Sequence, residues 1–181
     1  MDRVHYGGES RALNRKEMAI RNLVLKHANA WATPCRESFA QVLHPDVLFA
    51  YPTTKLDYAS AMADFDTFVE YYTNTTVTIP RDGIIIDWKT GHVSVHWKFS
   101  TYSRGTGVRQ VVNDACLGIV KDGKFVQWME FLDGRVKTMQ AAGVLSYEDG
   151  PDGVMKPWPA FMPGKEQCRA VVTVSCPTPI V

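Results

Sequence analysis

The order of periodicities along the chain predicts an α+β fold. Helical spacing dominates the first 73 residues, and two-residue alternation takes over from Thr75 to Gly134. Two stretches carry the second half. A strand is expected from His92 to about Tyr102, with Val93, Val95, Trp97, Phe99 and Thr101 on one face and Ser94, His96, Lys98, Ser100 and Tyr102 on the other. Gly107 to Gly134 reads as two long strands joined at Lys121-Asp122-Gly123-Lys124, because Asp-Gly between apolar runs marks a tight hairpin turn. Wrapping a strongly curved antiparallel sheet around the N-terminal helices gives a cone with an apolar interior.

Taken in order, residues 1–13 read as a flexible leader. Asn14 followed by Glu17 has capping-box spacing and opens a helix that runs to about Trp31. Its apolar stripe is Ile20, Leu23, Val24, Ala30 and Trp31, and His27 lies on the same stripe. Thr33-Pro34 is expected to start a short second helix ending before His44-Pro45-Asp46. A strand from Val47 to Tyr51 is stopped by Pro52, and Asp57 caps a third helix reaching Thr73. Strands at Thr75–Ile79 and Ile84–Trp88 follow, then a turn at Thr90-Gly91. After the hairpin, Arg135 to Ala142 is helical. The domain is therefore 14–142, with 143–181 an ordered, proline-rich extension packing on the body or on a neighbouring subunit. Within it, Ala170–Val174 has strand composition.

Composition narrows the function classes. Lys and Arg total 20 against 19 Asp and Glu, so the net charge of +1 gives no electrostatic reason to expect nucleic acid or an anionic membrane as partner. No apolar run approaches the ~20 residues that span a bilayer. Cys35, Cys116, Cys168 and Cys176 form no CxxC pair, which favours a reduced, cytoplasmic protein without a metal site. The polar N-terminus does not read as a signal peptide. There is no glycine-rich phosphate loop, no GxGxxG after a strand, no nucleophile elbow and no HExxH, so no cofactor is expected.

What remains is proton chemistry. Asp114 and Glu130 lie inside strands that are otherwise packed, and a carboxyl there must be paired, solvated or used. Burial against aromatics would raise the pKa of Asp114, making it a neutral donor or a base working near neutrality. The competing structural reading turns it to a subunit interface or pairs it with an arginine such as Arg104 or Arg109, and places Glu130 in a surface ion pair. Tyr51 would offer a phenolic proton to an oxyanion, or simply pack at its strand end. His27 is either a proton carrier facing a cavity or a core histidine bonded to a backbone carbonyl. Trp31, Phe49, Tyr72, Trp97, Phe99, Val112, Trp128 and Leu132 would line the cone around a planar, apolar ligand. A one-residue error of strand phase would instead bring in His96, Lys98 and Asn113 and remove Asp114.

HPDVLFAYP after two helices, and DGKFVQWMEFLDGRV near the end, resemble the SnoaL-like branch of the NTF2-like superfamily over roughly residues 14–142. The resemblance implies a cone-shaped barrel and a choice among polyketide cyclases, ketosteroid isomerases, limonene-epoxide hydrolases, dehydratases, lignin-dimer lyases and non-catalytic binding domains. Ketosteroid isomerases have a first-helix tyrosine where this chain has His27. Their general-base aspartate falls at Tyr51, and their protonated aspartate at Asp114. The last acid of the epoxide-hydrolase relay corresponds to Glu130, while its other two positions fall near Trp97 and Phe99. Neither mechanism is complete here. The resemblance therefore implies a cofactor-independent lyase or isomerase acting on a hydrophobic aromatic small molecule. Its best-matching activity is deformylating cleavage of a lignin-derived diarylpropane diol to a stilbene. A polyketide-cyclase, dehydratase or isomerase reaction, or a non-catalytic binding or assembly role, is the alternative. The convex sheet face and the long extension suggest a homodimer or homotrimer.

Overall fold

The computed structural model of the protein describes residues 3–6, 9–132, 134–144 and 172–175. The elements are β1 (Arg3–Tyr6), β2 (Glu9–Ala12), α1 (Arg15–Ala32), α2 (Arg36–Val42), β3 (Leu43–Tyr51), β4 (Thr54–Leu56) and α3 (Tyr58–Tyr71). There follow β5 (Tyr72–Ile79), β6 (Ile84–Asp87), β7 (His92–Ser103), β8 (Arg109–Lys121), β9 (Lys124–Leu132), α4 (Arg135–Ala141) and β10 (Val172–Ser175). No described helix is long and apolar enough to cross a membrane.

The capping box forms as its spacing requires. Asn14 Oδ1 accepts the Glu17 N–H at 2.9 Å, and Glu17 Oε2 accepts the Asn14 N–H at 2.8 Å. The apolar stripe of α1 then turns inward, burying Ile20, Leu23, Val24, Ala28 and Trp31. Four boundaries differ from expectation. Residues 3–12 pair as the β1–β2 hairpin rather than forming a flexible leader. Thr33 closes α1 through its N–H to the Asn29 carbonyl, so α2 starts later, with Cys35 at its N-cap. Strand β3 begins at Leu43 rather than Val47. Its ladder with β9 shifts register between Leu43 and Leu48, and that irregularity accommodates Pro45, which has no N–H to give a ladder. Tyr72 caps α3 and starts β5, so the third helix stops short of Thr73.

The main sheet runs β10-β5-β7-β8-β9-β3-β4, with β6 also paired to β7. The sheet is antiparallel as expected, apart from the single parallel pairing of β3 with β9. The connection from Tyr51 at the end of β3 to Lys124 at the start of β9 is long, so no tight turn dictates their relative direction. The sheet order has two ends, β10 and β4, so the cone is open rather than a closed barrel. The strand expected near Ala170–Val174 is β10, which extends this chain's own sheet beside β5. The rest of the 143–181 extension, beyond Val144, lies outside the described residues.

The central hairpin is built as its turn chemistry demands. Asp122 and Gly123 have φ of 52° and 75°, the two positive values that a type I′ turn requires. Phase is also as expected: Val93, Val95, Trp97, Val112, Asp114, Cys116, Trp128 and Glu130 face inward and are buried. His96 is exposed on the opposite face, and Asn113 points with it. The core fills the narrow end of the cone with Phe39, Phe49, Phe65, Trp97, Phe125 and Trp128 around α1. Gly118 makes that filling possible. A Cβ there would stand 2.9 Å from Val93 Cγ1 and 3.0 Å from Trp128 Cε3.

Candidate active site

The wide end of the cone is not filled. It holds a cavity of about 590 Å³ whose walls include Trp31, Phe68, Tyr72, Phe99, Val112 and Leu132. Tyr51, Asp64, Asp114 and Glu130 supply its polar groups, and Thr53, Thr54, Thr67 and Gly134 also border it. The volume lies in the range of small-molecule sites.

Register places the two strand acids together. Asp114 on β8 faces Trp97 on one side and Leu132 on the other, while Cys116, two residues along the same face, faces Glu130 on β9. Asp114 and Glu130 are thus diagonal neighbours on one sheet face, 3% and 8% exposed. Each is held by an indole. Trp97 Nε1–H donates to Asp114 Oδ2 at 3.0 Å, and Trp128 Nε1–H donates to Glu130 Oε1 at 2.9 Å. Glu130 is buried, which corrects the reading that placed it in a surface ion pair.

Tyr51 ends β3 and reaches across the cavity, where its hydroxyl donates to Asp64 Oδ2 on α3 at 2.9 Å. Burial pushes the Tyr51 phenol well above its usual range, and the nearby Glu130, Asp64 and Asp114 carboxyls push it further. The phenol therefore stays protonated and acts as a donor. The Cys116 thiol is also raised, by burial first and then by Glu130 and Asp114, which makes it inert.

His27 does not line the cavity. Its ring is fully buried in an aromatic cage, 4.6 Å from Trp128 and stacked at 5.8 Å on Trp97, with Phe39, Phe49 and Phe125 around it. Burial lowers its pKa to about 3, so it is neutral at any working pH. Its Nε2 accepts from Trp31 Nε1–H at 3.3 Å, and Nδ1 has no hydrogen-bond partner. Both readings from the sequence are corrected: His27 faces neither a cavity nor a backbone carbonyl. An aromatic cage admits the ring but not a charge, so His27 touches the site indirectly, through Trp31, Trp97 and Trp128. Phe49, Trp97 and Trp128 likewise stand behind the wall, because side chains crowding the narrow end leave no room there for a ligand. Trp31, Tyr51, Tyr72, Phe99, Val112, Asp114, Glu130 and Leu132 do line the cavity.

Asp64 is the titratable wall residue that sequence reading passed over, along with the hydroxyl-bearing Thr53, Thr54 and Thr67. The signal was present: Asp64 falls between Ala61 and Phe68 at helical spacing, on the inward stripe of α3. Thr67 and Phe68 come from the same stripe. Among the described residues, no group of three or more His, Cys, Asp or Glu is arranged to hold a metal ion.

Helices laid in the hollow of an open, curved sheet, with a cavity at the wide end, match solved structures over most of their length. BvnE pinacolase from Penicillium brevicompactum aligns with a TM-score of 0.62 at 10% identity, covering 74% of this chain and 95% of that one. An epoxide hydrolase resembling limonene-epoxide hydrolase, from M. tuberculosis, aligns at 0.58 and 13% identity, covering 67% and 87%. A protein with a ketosteroid isomerase-like fold from Catenulispora acidiphila, solved with trimethylamine, aligns at 0.57 and 13% identity, covering 68% and 93%. The chain has the NTF2-like fold. No protein-family model and no curated protein sequence matches the chain. Within the NTF2-like cone the sheet carries Asp114 and Glu130 and the helices carry Asp64, so the polar groups converge from opposite walls.

Proposed function

We propose that the protein is a cofactor-independent acid–base catalyst, a lyase or an isomerase or cyclase, acting on a hydrophobic aromatic small molecule. The observation that carries this reading is the convergence of Asp64, Asp114, Glu130 and the Tyr51 hydroxyl on one aromatic-walled cavity of about 590 Å³. Proton-transfer rearrangements need a base and a donor placed together where water is sparse. In this reading one of the two indole-held carboxyls accepts the substrate proton. The Tyr51 phenol, kept neutral by its surroundings, turns its O–H from Asp64 to the oxyanion that forms. The pinacolase and the epoxide hydrolase that share the fold are compatible with this class.

The substrate proposed for first test is a lignin-derived diarylpropane diol. Trp31, Phe68, Tyr72 and Phe99 form one contiguous aromatic wall, with Phe68 5.0 Å from Tyr72 and 5.7 Å from Phe99, and such a wall suits an aromatic substrate. One acid would protonate the departing hydroxyl and the other would take the proton of the terminal carbinol. Water, formaldehyde and a stilbene are then the products.

The experiment incubates the EDTA-treated protein with that diol and with a panel of aromatic ketones and epoxides. Turnover that survives EDTA, and that falls by ~100-fold or more in D114N or E130Q, is the expected result. Absence of both formaldehyde and stilbene absorbance removes the lyase form. Unchanged turnover in both variants removes the acid–base reading.

A further inference from the structure

Trp97 and Trp128 are buried and do not line the cavity, yet each gives its single polar atom to an acid that does. Trp97 Nε1–H reaches Asp114 Oδ2 at 3.0 Å, from the directly opposed position on the neighbouring strand. Trp128 Nε1–H reaches Glu130 Oε1 at 2.9 Å, two residues along the same strand face. The indoles themselves are clamped. Their centroids lie 5.5 Å apart, the His27 ring packs on both, and Phe125 sits 4.7 Å from Trp128. Gly118, cross-strand from Trp128, leaves the space that the indole occupies. An indole N–H only donates, so it engages an unprotonated oxygen of the carboxyl.

We propose that Trp97 and Trp128 are positioning residues, whose indole N–H groups fix the rotamers of Asp114 and Glu130 at the cavity wall and favour their charged forms. This rests on reading Asp114 and Glu130 as the working acids. Titratable groups around them, among the described residues, include Tyr51 on β3, Asp64 on α3, Cys116 on β8 and His27 on α1.

The test replaces each tryptophan in turn by phenylalanine, and separately by benzothienylalanine, which keeps the two-ring shape without an N–H. Near-ultraviolet circular dichroism selects folded variants, and the benzothienylalanine proteins cover the case in which W97F or W128F fails to fold. The side-chain carboxyl carbons of Asp114 and Glu130 are followed by 13C NMR against pH. Removing a donor to the charged form should raise the midpoint of the partnered acid by about one pH unit, a tenfold change in proton affinity. Glu130 moves chiefly in the Trp128 variants and Asp114 chiefly in the Trp97 variants. Where turnover is measured, the acid limb of kcat/KM moves with them. An unmoved midpoint in a folded protein lacking the N–H overturns the proposal. Intact turnover in both D114N and E130Q instead removes the catalytic reading, and the NMR result then judges the positioning on its own.

Discussion

His27 makes acid stability a direct probe of the aromatic cage. Its ring is 0% exposed and its pKa is lowered to about 3 by burial, whereas in the unfolded chain it returns to 6.5. A base whose folded pKa is depressed leaves the unfolded chain holding more protons below pH 6.5. Its contribution to stability is therefore complete above that pH and is lost as pH falls, through the window from 6.5 down to about 3. At pH 5 almost every unfolded molecule has protonated His27 and almost no folded one has. The penalty relative to pH 7.5 is about 1.4 kcal/mol for each of the roughly 1.5 pH units crossed, or about 2 kcal/mol. For a chain of this size that is about 4–8 °C in Tm. The assay is urea unfolding at pH 7.5 and pH 5 for the wild type and H27F. The wild type should lose about 2 kcal/mol more than H27F between the two pH values. Phenylalanine also removes the acceptor of the Trp31 indole, but that cost applies at both pH values and cancels in the comparison. Parallel losses in the two proteins, or an imidazole that titrates near 6.5 by NMR in the folded state, would refute the reasoning.

Other predictions concern the cavity walls and the packing behind them. G118A places a methyl group against Val93, Trp128 and Phe125 and should cost about 1–3 kcal/mol in urea unfolding, with a change in near-ultraviolet circular dichroism as the Trp128 indole moves; an unaltered protein contradicts the tight approach. Y51F and D64N should show a coupling of about 1 kcal/mol in a double-mutant cycle, and an additive result denies the hydrogen bond. Ultraviolet titration at 295 nm up to pH 10.5 should give the same rise for wild type and Y51F, because the Tyr51 phenol does not ionise there; a larger rise in the wild type speaks against it. N14A removes half of the capping box and should cost about 1 kcal/mol by thermal unfolding, with no effect on ligand binding at the distant cavity.

How much of the molecule was legible in the chain depended on the range of the interaction. The capping box, the I′ turn at Asp122-Gly123 and the phase of β7, β8 and β9 are set within a few residues, so spacing alone revealed them. That phase is what put Asp114 and Glu130 on the inner face. The bulge that admits Pro45 and the parallel β3–β9 pairing depend on contacts between distant parts of the chain, and no local period encodes them.

The site divides in the same way. Sequence by itself determined that two acids would stand inside a packed sheet beside aromatic residues, because alternation fixes the face of every strand position. Only tertiary structure decided where the cone is filled and where it is hollow. Packing at the narrow end turned His27, Phe49, Trp97 and Trp128 into supports behind the wall, although they share faces with residues that line the cavity. It also brought Asp64 on α3 to within a hydrogen bond of Tyr51 on β3. The physical reason is that periodicity specifies which way a side chain points, while the volume it meets there depends on every other element around the cone.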